Sequence, residues 1–347
     1  MRINEINLFE KPVDVQQLAK SVSALDPKTQ KKVIARVANA LELAQEENPT
    51  RSALNTLKKV DDPDMLKGYY KAAAKMLVGN SVPPEEINKL VQAINKDQCI
   101  LLGELKKPFN TLDKIIPLYA RGSMELKKYF TDMIMYQPGQ GLGPGEILFA
   151  IHSRELSKKG KGDLTIVPDG DLIEVKGGAS AGRFTDRDFG VSPETINIAR
   201  DFEKKFGKII PYQGSTGSNY AEIIKALQDP ANEKFSADIL GFLQRSLQSY
   251  FGDSKYIPKI MAQVQRGNEK ATRQLHAYAN MEAYFGTKGG AKEGILFIQT
   301  RSQPPVTAYA DSVESLKKGA DLTVSTIYPI SHAAAGPFPK IGAVPNS

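Results

Sequence analysis

The residues best suited to chemistry sit in GKGDLTIVPDGDLIEVKGG, residues 160–178, which holds Asp163, Glu174 and Lys176. Two carboxylates and an ammonium in one short segment can do one of two things. The carboxylates can hold a single cation between them, or all three can decorate an exposed, salt-bridged hairpin, where cross-strand pairs are common. The backbone decides which. Asp169-Gly170 between two apolar runs is a strong two-residue hairpin signal. With that turn Val167 faces Leu172, Thr165 faces Glu174 and Asp163 faces Lys176. Side chains alternate between the faces of a strand. Asp163, Thr165, Val167, Leu172, Glu174 and Lys176 therefore share one face, and Leu164, Ile166, Ile173 and Val175 form an apolar one. Diagonal neighbours lie about 7–8 Å apart, within reach of one bridging cation. A one-residue slip would move Asp163 onto the apolar face.

A third acid, Glu146, follows Gly143-Pro144-Gly145 and opens the apolar helix GEILFAIHSRELSKKG. It is either a first-turn acid favoured by the helix dipole or a further carboxylate aimed at the charged face of the hairpin. Downstream, RQLHAYANMEAY places Gln274 and Tyr278 one helical turn apart. They can serve a site together, or Tyr278 can pack inward with Leu275 and Met281. Arg183 and Arg187 in GGASAGRFTDRDF are either phosphate contacts or part of a polar loop.

These segments need elements to position them. Residues 12 to about 136 read as successive helices. KTQKKVIARVANALELAQEE sets Val33, Ile34, Val37, Leu41 and Leu43 near one face. PPEEINKLVQAINKD has a proline-led, acidic start. The four glycines and two prolines of YQPGQGLGPGE mark a break. SPETINIARDFEKKF, SNYAEIIKALQD and ADILGFLQRSLQSYFGD return to helices after the hairpin. EGILFIQTR has the near-continuous apolar character of a buried strand. The predicted division is a helical N-terminal region over 1–138, an α/β domain over 139–330 with a helical insertion at about 191–265, and a loose Pro/Gly/Ala-rich tail over 331–347.

The ordered set of an acid on a helix (Glu146), an Asp at one strand (Asp163), a Glu-x-Lys on the next (Glu174-Val175-Lys176) and a Gln-x-x-x-Tyr helix (Gln274, Tyr278) resembles the PD-(D/E)XK nuclease superfamily, closest to its RecB-like branch. Gly162 stands where the family's proline usually precedes the Asp. The likeness covers residues 139–182 and about 270–300. It implies a restriction-endonuclease-like core, a mixed central sheet flanked by helices. It also implies a Mg²⁺- or Mn²⁺-dependent deoxyribonuclease, an endonuclease ahead of an exonuclease, with RNA not excluded as substrate. Asp163 and Glu174 would hold the metal, with the Val175 carbonyl and Glu146 completing its shell. Lys176 would orient or help deprotonate the attacking water, or stabilise the developing charge. Gln274 and Tyr278 would position water or phosphate, and Arg183 and Arg187 would contact the nucleic acid.

The 347 residues exceed one ordinary core, and 41% hydrophobic with 24% charged residues is ordinary for a globular chain. A formal net charge of +7 suits an anionic partner. One cysteine and three histidines cannot build a structural zinc site of the usual spacing or an intrachain disulfide. No apolar run reaches the roughly 20 residues of a membrane span, and MRINEINLFEK lacks an apolar signal core, so a cytoplasmic location is expected. GQGLGPG lacks the Gly-Lys-Ser/Thr ending of a P-loop, and no Gly-x-Ser-x-Gly elbow is present. One rival stays open: a non-catalytic DNA-binding or virion-associated structural protein with a nuclease-like fold.

Overall fold

The computed structural model describes residues 20–59, 67–139, 142–157, 163–167, 170–178, 182–183, 191–213, 216–285, 294–333 and 336–345. It is a mixed α/β structure whose central sheet lies between two helical layers. The sheet contains β1 (Asn110–Thr111), β2 (Leu156–Ser157), β3 (Leu164–Ile166), β4 (Leu172–Gly178), β6 (Gly294–Gln299) and β7 (Val306–Ala310), in the order β1-β7-β6-β4-β3-β2. β4 and β6 run parallel, and the other neighbours are antiparallel. A second sheet joins β5 (Gly182–Arg183), β9 (Lys340–Pro345) and β8 (Ala320–Val324).

The alternation of β6 shows how the layers form. Leu296 and Ile298 face one hydrophobic cluster, and Ile295 and Phe297 face the other. This is the period of two expected of a strand covered on both sides. The first layer holds α1 (Pro27–Leu57), α2 (Lys67–Gly79), α3 (Pro84–Asn95), the short α4 (Leu102–Leu105), α5 (Leu112–Ile115) and α6 (Leu118–Gly122), then α7 (Met124–Met135) and α8 (Glu146–His152). α1 starts where sequence dictates: Pro27 takes the first helical position and Asp26 accepts from the Lys28 and Thr29 N–H groups. Of its expected apolar face, Ile34 is exposed, and the side chains of 37–48 lie outside the described residues. The division expected after residue 138 falls inside one continuous cluster, in which Tyr129, Phe130 and Met133 pack with Ile147, Phe149 and Ile173.

The second layer is built from the insertion, α9 (Pro193–Phe206), α10 (Tyr220–Gln228), α11 (Ser236–Phe251) and α12 (Ile257–Gln265), together with α13 (Glu269–Phe285) and α14 (Val313–Gly319). α13 carries the chain back to β6, beside β4. Of residues 331–347, expected as a loose tail, Lys340–Pro345 instead form β9. Phe338, Ile341 and Ala343 are buried in the second core, and their burial outweighs the Pro- and Gly-rich composition that suggested a tail.

Two histidines are fully buried and serve the packing. The Tyr129 hydroxyl and the Leu148 carbonyl each lie 2.8 Å from His152, and the Tyr220 hydroxyl and the Pro337 carbonyl lie 2.8 and 2.7 Å from His276. Burial pushes both imidazoles down from the usual 6.5 to about 4. Each ring is therefore neutral at pH 7 and pins its helix, α8 or α13. Among the described residues no helix is long and apolar enough to cross a membrane.

Candidate active site

The hairpin register differs from the one a two-residue turn would set. Leu164 pairs with Ile173 and Thr165 with Leu172. The Ile166 N–H donates to the Asp171 carbonyl at 2.9 Å, and the Gly170 N–H donates to the Ile166 carbonyl at 2.8 Å. The ladder thus closes at Ile166 and Asp171, with Gly170 at φ +79°. Val167 does not face Leu172. Its N–H is taken by the Glu155 carbonyl at 2.8 Å and its side chain is exposed, so the loop begins one residue earlier than the apolar run suggests. Continuing the ladder places Asp163 opposite Glu174, not opposite Lys176. The offset is two residues, so every side chain keeps its face. Leu164, Ile166, Ile173 and Val175 lie in the first core.

Direct opposition would set the Cβ atoms of the two acids about 4.5–5.5 Å apart, closer than a diagonal. The Asp163 carboxylate is fixed by the β4 backbone, where the Val175 N–H donates to Oδ2 at 2.9 Å. Glu174 and Lys176 face the second layer beside Ile295 and Phe297. The Lys176 ammonium donates to Glu174 Oε1 at 2.6 Å, and the two side chains are only 14% and 13% exposed. That burial excludes a solvated decorative pair. Removing both charges from water carries a desolvation cost that good geometry must offset.

The same Glu174 oxygen accepts from a residue that the sequence reading passed over. The Tyr284 hydroxyl donates to it at 2.6 Å, and the Lys176 ammonium stands 5.1 Å from the centre of the Tyr284 ring. Gln274 and Tyr278 were expected in this place. Tyr278 instead lies against Tyr256, with ring centres 6.0 Å apart, and the Lys317 ammonium sits 4.6 Å over its ring. Gln274 is half-buried on the same helix. The reason is helical phase: six residues at about 100° each turn Tyr284 some 120° away from Tyr278. Asn280, one turn before Tyr284, is fully buried. An Asn-x-x-x-Tyr spacing on α13 was therefore the available signal.

Glu146 bonds to the turn that opens its helix. Its Oε1 accepts from the Gly143 N–H at 2.6 Å and the residue is buried. α8 packs on the face of β4 that carries Ile173 and Val175, opposite the face of Glu174 and Lys176. Gly145, at φ +82°, has no room for a side chain, because a Cβ there would lie 2.2 Å from Ile298 Cδ1. Gly177 likewise admits Pro144, whose Cβ would lie 2.9 Å from one added there. Arg183 is exposed on β5, and Arg187 lies outside the described residues.

Protein-family models, curated proteins and solved structures give no match to this chain. The site therefore stands on its geometry. Among the described residues no three of His, Cys, Asp and Glu form a group able to hold a metal ion. Asp163 and Glu174 are a two-carboxylate set of hard oxygens. Mg²⁺ commonly takes one or two carboxylates and fills its other positions with water and substrate oxygens. Two carboxylates match that ligand count and fall short of an all-protein cage.

Proposed function

We propose that this chain is a metal-dependent deoxyribonuclease of the PD-(D/E)XK type, with a restriction-endonuclease-like core, that cuts DNA internally. One observation carries the reading: the Asp163 carboxylate, just before β3, accepts from the β4 backbone at Val175, between Glu174 and Lys176, whose side chains are largely buried. The element order supports it. A helix opened by an acid, α8, precedes β3 and β4, and α13 then leads to β6 beside β4.

A bound Mg²⁺ or Mn²⁺ would supply Lewis acidity toward the phosphate and acidify a water. Asp163 and Glu174 would hold it, and the Val175 carbonyl lies between the two motif side chains in sequence. The Val175 N–H keeps Asp163 in place, and Tyr284 fixes Glu174 from the facing helix. Lys176 orients the attacking water or stabilises the negative charge that develops on the phosphate. Glu146, bonded to Gly143, instead closes the turn that packs on Gly177.

A second reading is a DNA-binding or virion-associated structural protein with this fold and no catalysis. One observation favours it: Glu174 Oε1 already accepts from both Lys176 and Tyr284. Supercoiled plasmid and linear DNA, each with Mg²⁺ or EDTA, separate the two. The nuclease reading expects Mg²⁺-dependent nicking or linearisation without shortening of linear ends, lost in Asp163→Asn and Glu174→Gln. Intact plasmid under all conditions, with DNA still bound, leaves the structural reading.

A further inference from the structure

We propose that Arg183 and Lys340 together clamp a DNA backbone phosphate that flanks the one being cut; this rests on the nuclease reading only for the position of the cut. Arg183 on β5 pairs directly with Lys340 on β9. Directly opposed residues share a face, with Cβ atoms about 4.5–5.5 Å apart, and like charges so placed repel. Both are exposed, and neither side chain has an ion-pair partner among the described residues. Two facing cations with no acid paired to them among the described residues are the arrangement that a phosphate would relieve, by charge-assisted hydrogen bonds from both sides.

The pair lies beside the candidate site. A Cβ on Gly182 would lie 2.6 Å from Lys176 Cβ and 3.0 Å from its Cα, so only glycine lets β5 lie this close to β4. Gly182 points at Lys176, and alternation then turns Arg183 to the outer face. The opposing strand agrees: Ile341, paired with Gly182, is fully buried, and Lys340 is exposed. The clamp thus faces away from Lys176, which assigns it a neighbouring phosphate and not the reacting one. Lys340 owes its place to the C-terminal strand. β9 is anchored by its ladder with β8, by the Gln299 side-chain amide donating to the Ala343 carbonyl, and by His276 bonded to Pro337.

The test is fluorescence anisotropy of the full chain with a labelled 30-base-pair duplex in EDTA, across a salt series. Arg183→Ala and Lys340→Ala should each weaken binding several-fold and lower the slope of log affinity against log salt by about 1, as expected for one lost phosphate contact. Lys340→Arg should restore wild-type behaviour. Lys89→Ala, remote and paired with Glu86, is the control and should leave the slope unchanged. Thermal midpoints of the Ala variants should hold or rise, because a repulsive pair is relieved. Unchanged slopes in both Ala variants, or no duplex binding by wild type, overturn the clamp. A wild type that binds with the expected slopes but leaves plasmid uncut would retire the nuclease reading and keep the clamp.

Discussion

Two clusters on α13 contain the same side-chain chemistry and differ in nearly everything else. At the C-terminal end of the helix, Tyr284 meets Glu174 and Lys176. Earlier on the helix, Tyr278 lies with Tyr256 under Lys317, which donates to the Tyr256 hydroxyl at 2.7 Å and pairs with Glu314 at 3.2 Å. In the second cluster the carboxylate is 58% exposed and its lysine stands one turn away on the same short helix. Such a pair contributes little beyond local order. In the first, both charges come from adjacent positions on one strand face, are mostly buried, and stand beside a second carboxylate on the neighbouring strand. A tyrosine, a lysine and an acid do not make a site. A strand that gathers them away from water, with another acid bonded to its backbone, concentrates charge where solvent screens it least.

Substitutions can break that contrast, and the largest effect should be on cleavage. Glu174→Gln removes one of the two carboxylates that would hold the metal and should slow plasmid nicking on the order of 10²–10⁴-fold, the loss expected when charge stabilisation at the phosphate is weakened. Glu314→Gln should leave it within about twofold. Stability should separate the clusters next. Lys176→Met leaves Glu174 buried without its cation and should cost about 3 kcal/mol in urea unfolding, against less than about 1 kcal/mol for Lys317→Met. Equal costs would remove the distinction in burial.

The tyrosines sharpen it further. Tyr284→Phe deletes a hydrogen bond to a carboxylate and should cost about 1.5–3 kcal/mol, whereas Tyr278→Phe should fall within about 0.5 kcal/mol of wild type. The smallest difference between the clusters should be in a pH slope that neither of them governs. His152 and His276 have folded values near 4, below the unfolded value of about 6.5. The unfolded chain therefore takes up these protons first as pH falls. Stability is full above pH 6.5 and declines toward pH 4, by about 1.4 kcal/mol per pH unit for each histidine. Between pH 6.5 and 5 the slope should be the same in wild type, Glu174→Gln and Glu314→Gln. A slope that changes with Glu174 would couple the buried triad to this titration.

The faces of the hairpin were legible in sequence because alternation needs no tertiary information: Leu164, Ile166, Ile173 and Val175 could only be one side. The register was not. It depended on whether Val167 belonged to the strand or the loop, and that was settled by its N–H bonding to Glu155, a residue of the neighbouring segment. The helical N-terminal region, the insertion and the apolar β6 followed from periodicity and from helix starts such as the proline-led, acidic opening of PPEEINKLVQAINKD. Tyr284 was missed because two tyrosines on one helix offered the same spacing to a polar residue, and only the packing of α13 on the sheet shows which one faces Glu174. β9 was missed because its composition resembles a loose tail. Its order comes from Phe338 and Ile341 entering a core built by elements far away in sequence.

The central claim is most directly tested by the rate of supercoiled-plasmid nicking in Mg²⁺ by Lys176→Met beside Lys317→Met, with circular dichroism to confirm that both are folded. The account predicts that wild type and Lys317→Met nick the plasmid at similar rates and that Lys176→Met does not. Nicking by Lys176→Met at the wild-type rate, or none by wild type, would contradict it.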